Sequence, residues 1–93
     1  MKIKLKPGLL MREVAGEKVL LATGEGHVDF SRMLVLNEPA AMLIKELMNG
    51  VAIRIDGLVK LLMEHYEVEY NRVKADVEDL VSDLGELNML ENV

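Results

Sequence analysis

The sequence contains no cysteine and no tryptophan, and aromatic residues make up only 3% of its 93 residues. Without cysteine the chain has no disulfide framework, no thiolate metal site and no thiol nucleophile. Leucine, valine, isoleucine, alanine and methionine must therefore fill the core. No apolar run approaches the ~20 residues needed to cross a bilayer, and the basic start leads into no signal-peptide core. We predict one small domain spanning residues 1–93, located in the cytoplasm, with no membrane partner.

The charge is unevenly distributed along the chain, whose formal net charge is −5. Residues 1–46 contain seven basic and six acidic residues, whereas residues 47–93 contain four basic and ten acidic residues. Binding to nucleic acid depends on basic side chains that neutralise phosphates. The acidic second half therefore argues against a nucleic-acid partner.

Residues 33–44 predict a strand that runs directly into a helix. The four apolar residues 33–36 are typical of a short buried or half-buried strand. Asn37 is a preferred helix N-cap, Glu38 suits the positive end of the helix dipole, and Pro39 fits the first helical turn. The sequence before this junction indicates sheet, and the sequence after it indicates helix.

The residues before the junction predict an antiparallel sheet. Residues 9–14 and 18–23 are two short runs around a turn that contains Gly16, a pattern typical of a hairpin. Residues 33–36 would supply the third strand. Residues 24–32 are polar and interrupted by glycine, so we predict a mobile loop there.

The residues after the junction predict three helices, at about 38–48, 55–66 and 73–87. Gly50 and Asn88 suit the left-handed conformation that ends the first and third of them. We interpret Met42, Met48 and Met63 as filling gaps in a core poor in aromatics. The third helix has the clearest apolar period, carried by Val73, Val77, Leu80, Val81, Leu84 and Leu87. The predicted fold class is α+β and winged-helix-like: a three-stranded antiparallel sheet followed by a three-helix bundle, in the order β-β-β-α-α-α.

Residues able to carry out chemistry do not form a catalytic pattern. His27 and His65 lie in different predicted elements and have no ligand-spaced partners, so we predict that they are solvated or locally hydrogen-bonded. Ser31 and Ser82 lack a sequence context that would activate a nucleophile. We predict no catalytic residue, no metal site and no cofactor.

The acidic third helix has two interpretations. One is a solvated face, the usual position of a run of charges. The other is that Arg72, Asp76, Asp79 and Asp83 border an apolar groove between this helix and the sheet. Periodicity alone leaves both interpretations open.

Three segments, in their order and spacing, resemble the coenzyme PQQ synthesis protein D (PqqD-like) family, whose fold is called the RiPP recognition element. Residues 5–14 are similar to the family's opening segment, and residues 36–44 are similar to its leucine–asparagine helix start. Arg54 stands where members often have a capping Ser or Thr, and Asn88 stands where they commonly have Gly. The similarity to the last two helices rests on Leu62, Tyr66, Val68, residues 73–77, Leu80, Leu84 and Leu90.

This resemblance implies a non-catalytic, peptide-binding module. Family members capture the leader segment of a ribosomally made precursor peptide and present it to a modifying enzyme, often a radical-SAM protein. The leader would add as a strand beside residues 33–36, since an exposed strand edge can template another strand, in a groove closed by the third helix. The peptide-binding residues so implied are Ser31, Met33, Leu34, Val35, Leu36, Arg72, Val73, Asp76, Val77, Leu80 and Asp83.

Two other functions are left open by the sequence. A winged-helix DNA-binding or regulatory domain would use a similar fold, but a recognition helix should carry Arg, Lys, Asn or Gln rather than Asp. A structural subunit could instead stabilise a larger enzyme through the sheet edge. The sequence does not fix the oligomeric state, but an exposed strand edge is compatible with a homodimer.

Overall fold

The computed structural model, which describes residues 1–24 and 27–91, contains five strands and three helices in those ranges. The strands are β1 (Lys2–Ile3), β2 (Leu9–Val14), β3 (Glu17–Gly24), β4 (His27–Leu36) and β5 (Ile53–Arg54), and the helices are α1 (Glu38–Leu47), α2 (Ile55–His65) and α3 (Tyr70–Glu86). The main sheet is antiparallel with the order β2-β3-β4, and β1 pairs with β5 in a separate small sheet. The predicted α+β architecture is confirmed, with the small sheet added to it. No helix in the described ranges is long and apolar enough to cross a membrane.

The junction between β4 and α1 forms as the sequence predicts. The strand ends at Leu36 and the helix begins at Glu38, so Asn37 alone lies between them. The Asn37 Oδ1 atom accepts a hydrogen bond from the Ala40 N–H at 2.9 Å, and Pro39 lies in the first turn. This N-cap satisfies a backbone donor that the helix itself leaves unpaired. The direction of α1 is therefore tied to the end of the sheet.

The β2–β3 hairpin is closed by a two-residue loop of Ala15 and Gly16. Val14 pairs with Glu17, and the two loop residues have φ angles of 52° and 83°. Positive φ at both positions is the requirement of a type I′ turn, whose twist matches that of the flanking strands. The predicted hairpin is confirmed.

The predicted loop over residues 24–32 is wrong for the part that the structure describes. Gly24 ends β3, and residues 27–32 belong to β4, which pairs with β3 from His27 onwards. A strand ladder is made by backbone groups, so polar residues and glycine do not prevent pairing when a neighbouring strand supplies the partners. Glu25 and Gly26, also included in that prediction, lie outside the described residues.

The core lies between one face of the main sheet and the three helices. In α3 the buried residues recur with the predicted helical period, and Asn88 ends this helix region with a φ of 57°. The largest buried core side chains are Leu20 of the sheet, Leu43, Ile44 and Leu47 of α1, Leu58 of α2, Val77 and Leu84 of α3, and Met89.

The methionine predictions are partly wrong. Met42 packs half-buried against the core, but Met48 and Met63 are exposed, at 40% and 41%, and do not fill it. Met48 lies just beyond the last turn of α1, and Met63 is turned by about 100° from the buried Leu62 on the same helix. Met89, beyond the end of α3, is the methionine that is fully buried.

Replacing Asn37 with alanine should reduce the free energy of unfolding by about 1 kcal/mol, because the Ala40 N–H loses its acceptor. Asn49→Ala is the matched control, since Asn49 is an exposed residue in the turn after the same helix, and it should change stability by less than about 0.5 kcal/mol. Urea unfolding followed by circular dichroism measures both. Equal losses in the two variants would contradict the capping role of Asn37.

Candidate functional site

Strand β4 is an edge strand of the main sheet. Strand β3 pairs with one side of it, and no strand in the described ranges pairs with the other side. Edge strands present unpaired backbone N–H and C=O groups that can template a further strand. The predicted free edge at residues 33–36 is therefore present in the described structure.

A groove of about 230 Å³ lies beside this edge, between β4, the start of α1 and the side of α3. Its apolar lining includes the buried Leu43, Leu80 and Leu62, one from each of the three helices. Its polar lining is mainly acidic. The full lining is Leu34, Val35, Asn37, Pro39, Ala40, Leu43, Leu62, Asp76, Asp79, Leu80 and Asp83. Of the two interpretations of α3, the acid-bordered groove is the one that the geometry favours.

The three aspartates of α3 are presented to the groove by helical spacing. Asp76, Asp79 and Asp83 are separated by three and four residues, so they lie on one side of the helix, and all three are exposed. No lysine, arginine or histidine is among the described residues that line the groove. A cleft lined by charges of one sign attracts the opposite charge. The groove therefore favours a ligand that carries cationic groups beside apolar ones.

Five of the predicted site residues come together at the groove, and six do not line it. Val73 and Val77 are buried in the core, as is Leu36, whereas Arg72, Ser31 and Met33 are exposed outside the groove lining. The residues that do line it are Leu34, Val35, Asp76, Leu80 and Asp83.

The prediction missed the contribution of α1 and α2 to the groove. Asn37, Pro39 and Ala40 line it because α1 begins immediately after β4. The capped strand-to-helix junction was the signal that could have placed them there. Leu43 and Leu62 were recognisable as core residues, but periodicity does not show which core residues also border a cavity.

The face of the main sheet opposite the helices is apolar as well. Val19 and Leu21 of β3 are only 2% and 1% exposed, although neither belongs to the main core cluster. Leu10 and Met33 lie opposite Leu21 on the two neighbouring strands, and both are substantially exposed. Strand β4 therefore lies between the groove and a second group of apolar side chains, of which Leu10 and Met33 are exposed.

A larger cavity of about 420 Å³ lies between the N-terminal segment and the end of α1. Its lysines already have partners: Lys4 Nζ lies 3.5 Å from a Glu91 carboxylate oxygen, and Lys6 Nζ donates to Asn88 Oδ1 at 2.8 Å. Of the main sheet, its described lining includes only Leu9, the first residue of β2, whereas the smaller groove lies beside the unpaired edge of β4. We therefore place the candidate site at the smaller groove.

The histidines do not form a metal centre in the described part of the chain. His65 Nδ1 lies 3.0 Å from the Leu61 carbonyl oxygen, so the ring is hydrogen-bonded within its own helix, as predicted. The prediction for the His27 side chain lies outside the described residues. Among the residues described, no group of three or more His, Cys, Asp or Glu could hold a metal ion.

The fold and the groove define a class of protein: a small winged-helix-like α+β domain with an open strand edge beside an acidic, apolar groove. The sequence matches the model of the family described as coenzyme PQQ synthesis protein D (PqqD) over residues 17–90, and the chain belongs to that family. The predicted family resemblance is confirmed.

Two solved structures are similar to this chain over nearly their whole length. One is described as TbiB1 in complex with the TbiA(beta) leader peptide; it has a TM-score of 0.70 and 21% sequence identity, and the alignment covers 97% of this chain and 96% of that one. The other is described as lasso peptide synthetase B1 complexed with the leader peptide; it has a TM-score of 0.68 and 25% identity, with coverage of 99% and 100%. The comparison with curated proteins gives no match.

The acidic lining leads to a prediction about nucleic acid. We expect the chain to leave a short DNA duplex unretarded in gel electrophoresis even at about 50 mM salt, where phosphate contacts are strongest. The reason is that α3 offers Asp76, Asp79 and Asp83 where a recognition helix would need donors. Retardation that weakens as salt rises would contradict this expectation and support a DNA-binding domain.

Proposed function

We propose that the chain is a non-catalytic, peptide-binding module that takes up the leader segment of a ribosomally made precursor peptide. The leader adds as a strand to β4, and the whole chain acts as one binding domain. The observation that carries this proposal is the unpaired edge of β4 directly beside the groove. Membership of the PqqD family and the leader peptides named in the two similar complexes support it.

Backbone pairing supplies the part of the binding that is independent of sequence. The leader backbone pairs with residues 33–36, extending the antiparallel sheet by one strand. Because side chains alternate between the two faces of a strand, every second leader side chain points toward the groove. Apolar side chains there pack against Leu34, Leu43 and Leu80, which line it.

Charge supplies part of the specificity. Lysine or arginine side chains of the leader lie close to Asp76, Asp79 and Asp83, and acidic side chains at the same positions are repelled. These aspartates are exposed, so each pair is worth only ~0.2–1 kcal/mol. Their main effect is to select among leaders and to speed association.

The expected affinity is modest. About four backbone hydrogen bonds at ~0.5–1.5 kcal/mol each and two buried apolar anchors at ~1.5–3 kcal/mol each give roughly 5–12 kcal/mol. Ordering a flexible peptide costs several kcal/mol of that sum. A dissociation constant in the micromolar range follows, and assembly into a larger complex raises the apparent affinity through avidity.

The bound leader is presented to a modifying enzyme, which we propose is a radical-SAM protein, as the family resemblance implies. The chain itself needs no catalytic residue, metal or cofactor for this role. A homodimer through the β4 edge would occupy the surface that the leader requires, so dimer formation and leader binding should compete. A cytoplasmic location stays a prediction from the sequence.

Titration of the ¹⁵N-labelled chain with the leader of the precursor encoded beside its gene tests the proposal. Amide shifts should change in residues 33–36 and in residues 76–83, because these segments form the two walls of the groove. Residues 12–14 of β2 are the internal control, since β2 is the other edge of the same sheet but does not line the groove. If neither wall shows amide shift changes at saturating leader, or if the changes are confined to β2, strand addition to β4 is rejected.

The charge contribution has its own test. The triple variant Asp76→Asn, Asp79→Asn and Asp83→Asn should raise the Kd for a lysine- or arginine-containing leader about three- to tenfold at low salt, and should flatten the salt dependence of binding. The control variant Glu13→Gln, Glu46→Gln and Glu64→Gln makes the same change in net charge at exposed positions outside the groove. Fluorescence anisotropy measures both. Similar effects in the two triple variants would show that net charge, not the groove, is responsible.

A further inference from the structure

Arg32 joins β4 to the end of α3. Its Nε atom donates to the Leu87 carbonyl oxygen at 2.9 Å, and its Nη2 atom donates to the Asn88 carbonyl oxygen at 2.7 Å. The planar guanidinium presents its donors in a fixed fork, so one side chain can hold two adjacent carbonyls at once. A lysine at this position could not reproduce that double contact.

The end of α3 is suited to receive this cation. The last carbonyls of a helix have no intrahelical partner and carry the negative end of its dipole. Asn88 turns the chain in the left-handed conformation, and Lys6 donates to its side chain at 2.8 Å. Arg32 and Lys6 therefore contact the same short segment from two different parts of the chain.

Arg32 lies on the face of β4 that is turned toward the helices. Side chains alternate between the two faces of a strand, and Leu34, two residues later, packs against the core between the sheet and the helices. The register of the ladder shifts beside Arg32, because Met33 pairs with Leu21 of β3 but the next residue of β3, Ala22, pairs with Asp29. Arg32 therefore reaches the end of α3 from the helix-facing side of the strand, next to the register shift.

The contact lies at one end of the groove. Asp83 is the last α3 residue that lines the groove, and Leu87 follows it one turn later. Leu34 is the first β4 residue that lines it, and Arg32 lies two residues earlier on the strand. The guanidinium thus connects the two walls, β4 and α3, immediately beyond the last lining residues.

We propose that Arg32 is a positioning residue for the bound leader, an inference that rests on the proposed function. Its two hydrogen bonds hold α3 at a fixed distance from β4, which keeps the groove open to the width of one strand. The same contact closes that end of the groove, so pairing between the leader and β4 stops at Met33. Arg32 therefore fixes the register in which the leader binds without contacting the groove interior.

Three variants separate this role from simple helix capping: Arg32→Ala, Arg32→Lys, and Lys6→Ala as the matched control. Lys6→Ala also removes a cation bound to Asn88, but Lys6 does not connect the groove walls. Thermal unfolding reports the structural cost of each change. Anisotropy with the dye-labelled leader of the precursor encoded beside this chain's gene reports the Kd.

Arg32→Ala should raise the Kd about tenfold, the change expected if only about one molecule in ten keeps the walls at the competent spacing. Arg32→Lys should be intermediate, since lysine restores the charge but not the fork. Lys6→Ala should leave the Kd within about twofold of that of the unsubstituted chain, because the spacing between the groove walls is unchanged. This should hold even if its unfolding temperature falls as far as that of Arg32→Ala.

The register is the readout that a purely structural role would not alter. Because the chain has no cysteine, a single Glu86→Cys variant can carry a nitroxide label at the end of α3. In the otherwise unchanged chain, the nitroxide should broaden the amide signals of one short group of residues in the ¹⁵N-labelled leader, which identifies one register. In the Arg32→Ala background a different or wider group of leader residues should be broadened. The Lys6→Ala background should keep the original group.

The outcomes distinguish the two proposals. If the unsubstituted chain does not bind the leader, the proposed function is wrong and the role of Arg32 is lost with it. If the unsubstituted chain binds, and Arg32→Ala keeps both the original Kd and the original register, the proposed function stands and only the role of Arg32 is overturned. An Arg32→Ala effect on Kd that Lys6→Ala reproduces in full would also overturn it.

Discussion

The capped turn at Asn37 is the constraint on which the candidate site depends. One residue separates the end of β4 from the start of α1, and its side chain holds the first turn of the helix at 2.9 Å. Because there is no connecting loop, α1 cannot move without moving the strand edge. The edge of β4 and the beginning of α1 therefore move together, which limits the conformational cost of ordering this part of the groove when a peptide binds.

Most of the fold could be predicted from local patterns, because each main element carries its own signal. The Asn37–Pro39 start of α1 and the regular apolar spacing of α3 both appear as expected. The pairing of β1 with β5 could not be predicted, since two-residue strands have no periodicity and their partners lie far apart in the chain. The extension of β4 back to His27 was missed for a similar reason. It results from backbone pairing with β3, and the sequence of residues 27–32 has no strand pattern of its own.

The site could be predicted only in part, and the limit is again physical. Leu34, Leu80 and the groove aspartates follow from strand and helix positions that the sequence indicates. Val73 and Val77 share the apolar face of α3, but burial in the core separates them from the groove. The contact of Arg32 with the end of α3 could not be predicted, because a lone arginine in a polar stretch does not show which carbonyl oxygens it contacts in the fold.

The contact between residues 4–5 and residues 90–91 has a consequence for larger assemblies. Leu5 bridges to Leu90, and the Glu91 N–H donates to the Lys4 carbonyl oxygen at 2.8 Å. The segment before Lys4 continues into the fold as β1, which pairs with β5, so the two sides of this contact are not equivalent points of attachment. An enzyme joined through a flexible linker after Glu91 would be held beside the N-terminal segment, and the length of the linker should set its local concentration at the groove.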